Sequence, residues 1–113
     1  MSPAETLARR YFDNVRAKDA AAVAGCFAPD GVLNLPNGAQ LAGRAAIEAM
    51  YRGIFARGTP NPQVVAVISQ GERCVAEIRA TQPNGKTLPF ADVFTLDGNG
   101  AVAELTIYAT TSA

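Results

Sequence analysis

The sequence predicts an α+β fold in which helices pack on one face of a curved sheet. Three observations carry that expectation. Apolar residues recur at helical spacing only in the first half of the chain. The second half is a run of alternating, strand-length patterns separated by Gly, Asn and Pro turn signals. Finally, 113 residues fit one compact domain and leave no room for a second. Helices gathered first and strands after are the signature of segregated α and β layers.

The first helix opens at Ser2-Pro3-Ala4-Glu5. Ser2 can cap the leading amides, Pro3 suits the first helical position, and Glu5 completes a capping box. Leu7, Ala8, Tyr11, Phe12 and Val15 then share one side, while Arg9, Arg10, Asp13 and Arg16 fall largely elsewhere. Tyr11 therefore points inward or to the boundary, where a hydroxyl normally finds a partner; a plain core tyrosine is the simpler alternative. Asp19 reads as the N-cap of a short second helix, Ala20 to about Phe27, with Val23, Cys26 and Phe27 inside. Ala28-Pro29-Asp30-Gly31 is expected to end it and turn the chain. Val32 to Leu35 is a short strand closed by Pro36-Asn37-Gly38. Leu41-Ala42-Gly43 leads into a third helix, Arg44 to about Ala56. Its apolar stripe is Ile47, Met50, Tyr51, Ile54 and Phe55, with Glu48 and Arg52 paired on the exposed side. Gly58-Thr59-Pro60-Asn61-Pro62 stops it.

The remainder reads as β. Val64 to Ser69 is nearly continuous apolar, which predicts a strand covered on both faces, one of them by another subunit. After Gln70-Gly71-Glu72, the strand Arg73 to Thr81 alternates Cys74, Ala76, Ile78 and Ala80 with Val75, Glu77, Arg79 and Thr81. Pro83-Asn84-Gly85 and Asp97-Gly98-Asn99-Gly100 are hairpin turns. Between them Phe90, Asp92, Phe94 and Leu96 share one strand face, which sets one carboxyl in a row of large apolar side chains. If that face lines an interior, the charged form of Asp92 is poorly solvated and its pKa rises. A strand edge with Asp92 in water is the bland alternative. In the last strand, Ala101 to Ala109, Leu105, Ile107 and Ala109 oppose Glu104, Thr106 and Tyr108.

Composition narrows the function classes. Ten basic and ten acidic side chains balance to zero without a basic run, which argues against nucleic acid or an anionic membrane as partner. With no histidine, His-based catalysis is excluded, and no metal or cofactor is expected. Cys26 and Cys74 are unclustered and predict reduced, buried thiols in a cytoplasmic protein, with a single disulfide as the alternative. No leader peptide and no membrane span is expected.

The ordered set Arg10-Tyr11, Lys18-Asp19, Phe27-Ala28-Pro29-Asp30-Gly31, Leu35-Pro36-Asn37-Gly38, Gly43-Arg44, Ile47, Tyr51 and Asp92-Val93-Phe94 resembles the ketosteroid isomerases. These belong with the SnoaL-like polyketide cyclases in the nuclear transport factor 2-like superfamily. The resemblance runs from about Leu7 to about Ala109. It implies a cone-shaped barrel of a curved, mostly antiparallel sheet, with three helices on its concave face, an apolar pocket, and a homodimer formed through the sheet. It also implies an oxyanion hole made by Tyr11 and a neutral Asp92, with Tyr51 supporting Tyr11 and Phe27 in place of a further tyrosine. The ketosteroid isomerases are themselves the established case of a carboxylic acid kept protonated by an apolar site.

The departure is Leu35, which stands where the family carries its proton-shuttling aspartate. Leucine takes no proton, and the amides Asn34 and Asn37 are not bases. Glu77, Glu48, Asp13, Asp30 and Asp97 all read as surface or turn residues. A placed base is typically worth ~10²–10⁴ in rate. Three readings follow: a steroid delta-isomerase-like isomerase or SnoaL-like cyclase or lyase with an altered reaction, a non-catalytic binding module, and a dimeric structural protein. In the first, the base comes from substrate, water or an ionised Asp92. The first two share a small apolar carbonyl or phenolic ligand and the pocket residues Phe27, Leu35, Phe55, Phe90, Phe94 and Leu105.

Overall fold

The computed structural model describes residues 1–58 and 61–110. Among them the order is α1 (Pro3–Arg16), α2 (Ala20–Gly25), β1 (Phe27–Asn34), β2 (Gln40–Ala42), α3 (Arg44–Arg57), β3 (Asn61–Gln70), β4 (Arg73–Thr81), β5 (Thr87–Leu96) and β6 (Val102–Ala109). The strands form one mixed sheet in the order β2-β1-β6-β5-β4-β3. The β1–β6 pair is parallel and the others are antiparallel. The sheet stays open and curls into a cone, with α1 laid against β3, β4 and β5 and α3 against β1 and β2.

Local chemistry accounts for the helices, with one correction. Ser2 Oγ accepts from the Glu5 amide at 3.1 Å. The Glu5 carboxylate does not return the bond to complete a capping box; it accepts from Arg9 Nε at 2.9 Å. A charge-assisted i, i+4 contact outcompetes a bond to a neutral amide. Asp19 caps α2 by accepting from Ala22 N at 3.0 Å. That helix stops at Gly25 with Cys26 as its C-cap, two residues short of the expected end.

The largest difference from expectation is at Ala28-Pro29-Asp30-Gly31, which lies inside β1 rather than in a turn. Pairing with β6 jumps from Phe27↔Val102 to Val32↔Glu104, so the four residues form an extended bulge. Proline lacks a ladder donor and is tolerated at such a bulge. Glycine is required at position 31 by close approach: a Cβ there would stand 2.8 Å from the Val102 carbonyl oxygen. The three-residue strand β2 was not anticipated, because so short a segment carries no period.

β3 begins at Asn61, so Asn61 and Pro62 start the strand rather than stop the helix; Thr59 and Pro60 lie outside the described residues. Within one chain, only the concave face of β3 is covered. Val65 is 54 % and Ile68 74 % exposed, because β3 is an edge strand and no described element covers the sheet's outer face. The hairpin turns form as read, with Gly85 at φ 86° and Gly100 at φ 81°. Cys26 and Cys74 are free and buried. No described helix is long and apolar enough to cross a membrane.

Strand pairing stacks the concave face in rows. Leu33, Leu105, Phe94 and Cys74 make one row, Ile107, Asp92 and Ala76 the next, and Ala109, Phe90 and Ile78 the third. The first row is filled by α1, whose Phe12 meets Phe94 ring to ring at 5.9 Å. Beyond it the core opens into a cavity.

Candidate active site

The cavity measures about 160 Å³ and lies between α1, α3 and the second and third rows of the sheet. Helix α1 contributes Tyr11, Phe12 and Val15, and α3 contributes Met50, Tyr51, Ile54 and Phe55. The strands supply Ile78, Ala80, Phe90, Asp92 and Ile107, and Leu35, Pro62 and Gln82 complete the wall. Tyr11, Tyr51, Asp92 and Gln82 are the polar residues of this lining among the described residues.

Asp92 sits where the packed row ends and the cavity begins. It is 2 % exposed, and its Oδ1 has no hydrogen-bond partner among the described residues. Burial pushes its carboxyl from 3.8 up to about 7. Loss of solvation penalises the charged form, and no cation or amide compensates. The raised pKa expected from the sequence therefore has its expected cause.

Tyr11 and Tyr51 are hydrogen-bonded hydroxyl to hydroxyl. Burial raises both pKa values, and the nearby Asp92 carboxyl adds to the effect. Two hydroxyls sharing one bond leave one O–H free to donate elsewhere. The Tyr11 ring is fixed by edge contacts to Phe12, Phe94 and Phe27 at centroid distances of 5.0, 5.4 and 6.4 Å. Phe55 lies against Tyr51 at 5.7 Å.

The structure thus brings Tyr11, Tyr51, Asp92, Leu35, Phe55 and Phe90 to one cavity. It does not place Phe27, Phe94 and Leu105 on the cavity wall. All three are fully buried behind it, two of them packed on Tyr11. The sequence places Phe94 and Leu105 on the correct face but cannot say at which row packing stops. Phe12, Val15, Met50, Ile54, Ile78, Ala80 and Ile107 were legible only as apolar stripe members. Pro62 and Gln82 carried no signal.

Of the ten acidic side chains, Asp92 is the one on the cavity wall among the described residues. Glu5, Asp13, Glu48 and Glu77 pair with arginines, Asp19 and Asp97 bind backbone amides, and Asp30 and Glu72 are exposed. Glu104 accepts from Asn34, whose side chain also donates to Thr106 and accepts from Gln40, on the far side of the sheet from the cavity. Leu35 occupies the wall with no carboxylate beside it other than Asp92. No described group of three His, Cys, Asp or Glu side chains converges on a metal-sized site.

Fold and cavity together define a nuclear transport factor 2-like, ketosteroid isomerase-like α+β protein. A family model for the SnoaL-like domain matches residues 8–105, and the chain belongs to that family. Over 100 residues it is 34 % identical to a steroid delta-isomerase of Nocardioides simplex, covering 85 % of this chain and 80 % of that one. Among solved structures, a protein of unknown function with a cystatin-like fold from Methylobium petroleophilum PM1 superposes with a TM-score of 0.86. It is 21 % identical, over 98 % of this chain and 78 % of that one. A Catenulispora acidiphila protein with a ketosteroid isomerase-like fold, in complex with trimethylamine, gives 0.84 at 17 % identity, over 94 % and 86 %. These last two likenesses concern the fold.

Proposed function

We propose that the cavity binds a small apolar carbonyl or phenol and polarises its oxygen through Asp92 and the Tyr11–Tyr51 pair. The observation that carries this reading is one buried carboxyl, with an unpartnered oxygen, set in a mostly apolar cavity beside a tyrosine pair. A carboxyl kept neutral donates its O–H to the ligand oxygen, and the free tyrosine proton donates beside it. Both bonds strengthen as negative charge builds on that oxygen, which is the condition for stabilising an enolate. Tyr51 acts here by orienting Tyr11.

Membership of the family and the similarity to a steroid delta-isomerase support an isomerase-like or cyclase-like activity. Turnover takes its base from the substrate, from water, or from Asp92 itself. A carboxyl poised near 7 is suited to taking a proton at neutral pH. Leu35 on the cavity wall favours a second reading, in which the chain binds its ligand without turnover. The exposed outer sheet face supports a homodimer paired through it, and the free buried thiols are in keeping with a cytoplasmic protein.

The test is 2-cyclohexenone binding by calorimetry across pH, for the native protein and Asp92→Asn. A neutral Asp92 donates to the enone oxygen below about pH 7 and repels that oxygen once ionised. Native affinity is therefore expected to fall by up to about tenfold per pH unit above 7, while the variant binds weakly and without that dependence. Equal affinity in the two proteins at every pH removes Asp92 from the site.

A further inference from the structure

The size of the cavity restricts its ligand more sharply than its chemistry does. Its volume is about 160 Å³. An apolar cavity of about 150 Å³ holds one benzene ring. A steroid nucleus has about three times the ring carbons of benzene, so only a fraction of it would enter a space of that size. Most of the side chains that bound the cavity are large. Phe90, one of them, precedes Asp92 by two residues on the same face of β5, about 7 Å along the strand. A ligand whose oxygen is held at Asp92 has room for one ring before it meets that phenyl group. Met50, Ile54 and Phe55 line the cavity from α3.

We infer that the ligand of this site is a monocyclic phenol or cyclic enone, and that Phe90 sets the limit at one ring. The inference rests on the binding role proposed above and narrows it to a substrate class. Rings beyond the first stand in solvent and add no binding surface.

Calorimetry at pH 6 with toluene, phenol, 2-naphthol and estradiol tests it. Burying a second ring would strengthen binding on the order of a hundredfold. The expected result is that 2-naphthol and estradiol bind less than tenfold more tightly than phenol. Either binding tenfold or more tightly overturns the one-ring limit, even where phenol still exceeds toluene. Conversely, if toluene and phenol bind equally and 2-naphthol gains nothing, the polar role of Asp92 fails and the size limit stands. If no compound binds, both fall. In Phe90→Ala the preference for 2-naphthol over phenol is expected to rise at least tenfold. An unchanged ratio in the folded variant removes Phe90 as the limiting residue. Should that variant fail to fold, Met50→Ala makes the same measurement from the α3 side, with the same two outcomes.

Discussion

At the scale of single residues, Asp92 is held in the fold against its own ionisation. Its carboxyl is pushed from 3.8 to about 7 by burial alone. Between those values the folded chain keeps a proton that the unfolded chain has released. Stability from this group is therefore complete below about pH 4 and is lost as pH rises through 7. The loss is on the order of a few kcal/mol. Asp92→Asn removes the ionisation while keeping shape and polarity. The variant is expected to melt higher than the native protein at pH 8 by roughly 5 °C or more, with the gap closing towards pH 4. A native melting temperature that does not change between pH 5 and 8 would show that Asp92 is not held as a buried neutral acid. Such a penalty is the kind of strain a functional site retains at the expense of stability. Asp92 was legible in the sequence because a lone carboxyl among Phe90, Phe94 and Leu96 breaks the strand's own alternation rule. Its unpartnered oxygen was not legible, since that depends on what the rest of the fold fails to bring near it.

Among elements, β1 decides what the cavity can do. Its bulge over Ala28–Gly31 bends the strand against Val102, and the strand then delivers Leu35 to the cavity wall. There the chain closes a tight turn: Leu35 N donates to Ala39 O at 2.9 Å, and Gly38 N donates to Leu35 O at 3.0 Å. Because both backbone groups of Leu35 are already satisfied, its side chain can be exchanged without unmaking the turn. Leu35→Asp is accordingly expected to keep the fold and to place a second carboxyl on the wall. If Asp92 and Tyr11 polarise a carbonyl, isomerisation of 3-cyclohexenone to its conjugated isomer should accelerate by about 10²-fold or more over the native protein. Leu35→Asn, equally polar but no base, should give no gain. Failure of a folded Leu35→Asp to accelerate the reaction would count against the polarising role. The bulge itself explains why Pro29 and Gly31 were read as a turn. The same residues mark any departure from a regular strand, and only the partner strand β6 determines that the chain stays in the sheet.

On the scale of the whole molecule, the open sheet has one served face and one bare face. α1 and α3 cover the concave side, whereas the outer side shows Ile68 at 74 %, Tyr108 at 58 % and Val75 at 39 % exposure. Pairing aligns Ile68, Val75, Val93 and Thr106 in one outer row, and Ala66, Glu77, Ala91 and Tyr108 in the next. Exposed apolar side chains clustered in this way, interrupted by Thr106 and Glu77, mark a candidate interface. If two copies pair through it, Ile68→Lys should shift the mass measured by light scattering from dimer to monomer while leaving the fold intact. A native protein that is already monomeric at high concentration would rule the pairing out.

The sequence by itself determined the α+β class, the three helices and the long strands, and marked Tyr11, Tyr51 and Asp92 as candidate inward-facing polar groups. Each follows from local causes: side-chain period, capping residues, and turn residues with fixed backbone preferences. Tertiary structure alone decided where packing ends and the cavity begins. The row of Phe94 and Leu105 is filled by Phe12 from α1, while the next row, holding Asp92 and Ile107, is left open. Nothing local to β5 distinguishes position 94 from position 92, since both lie on one face. The difference is made by a helix about eighty residues earlier in the chain, and only the assembled fold brings that helix to one row and not the other.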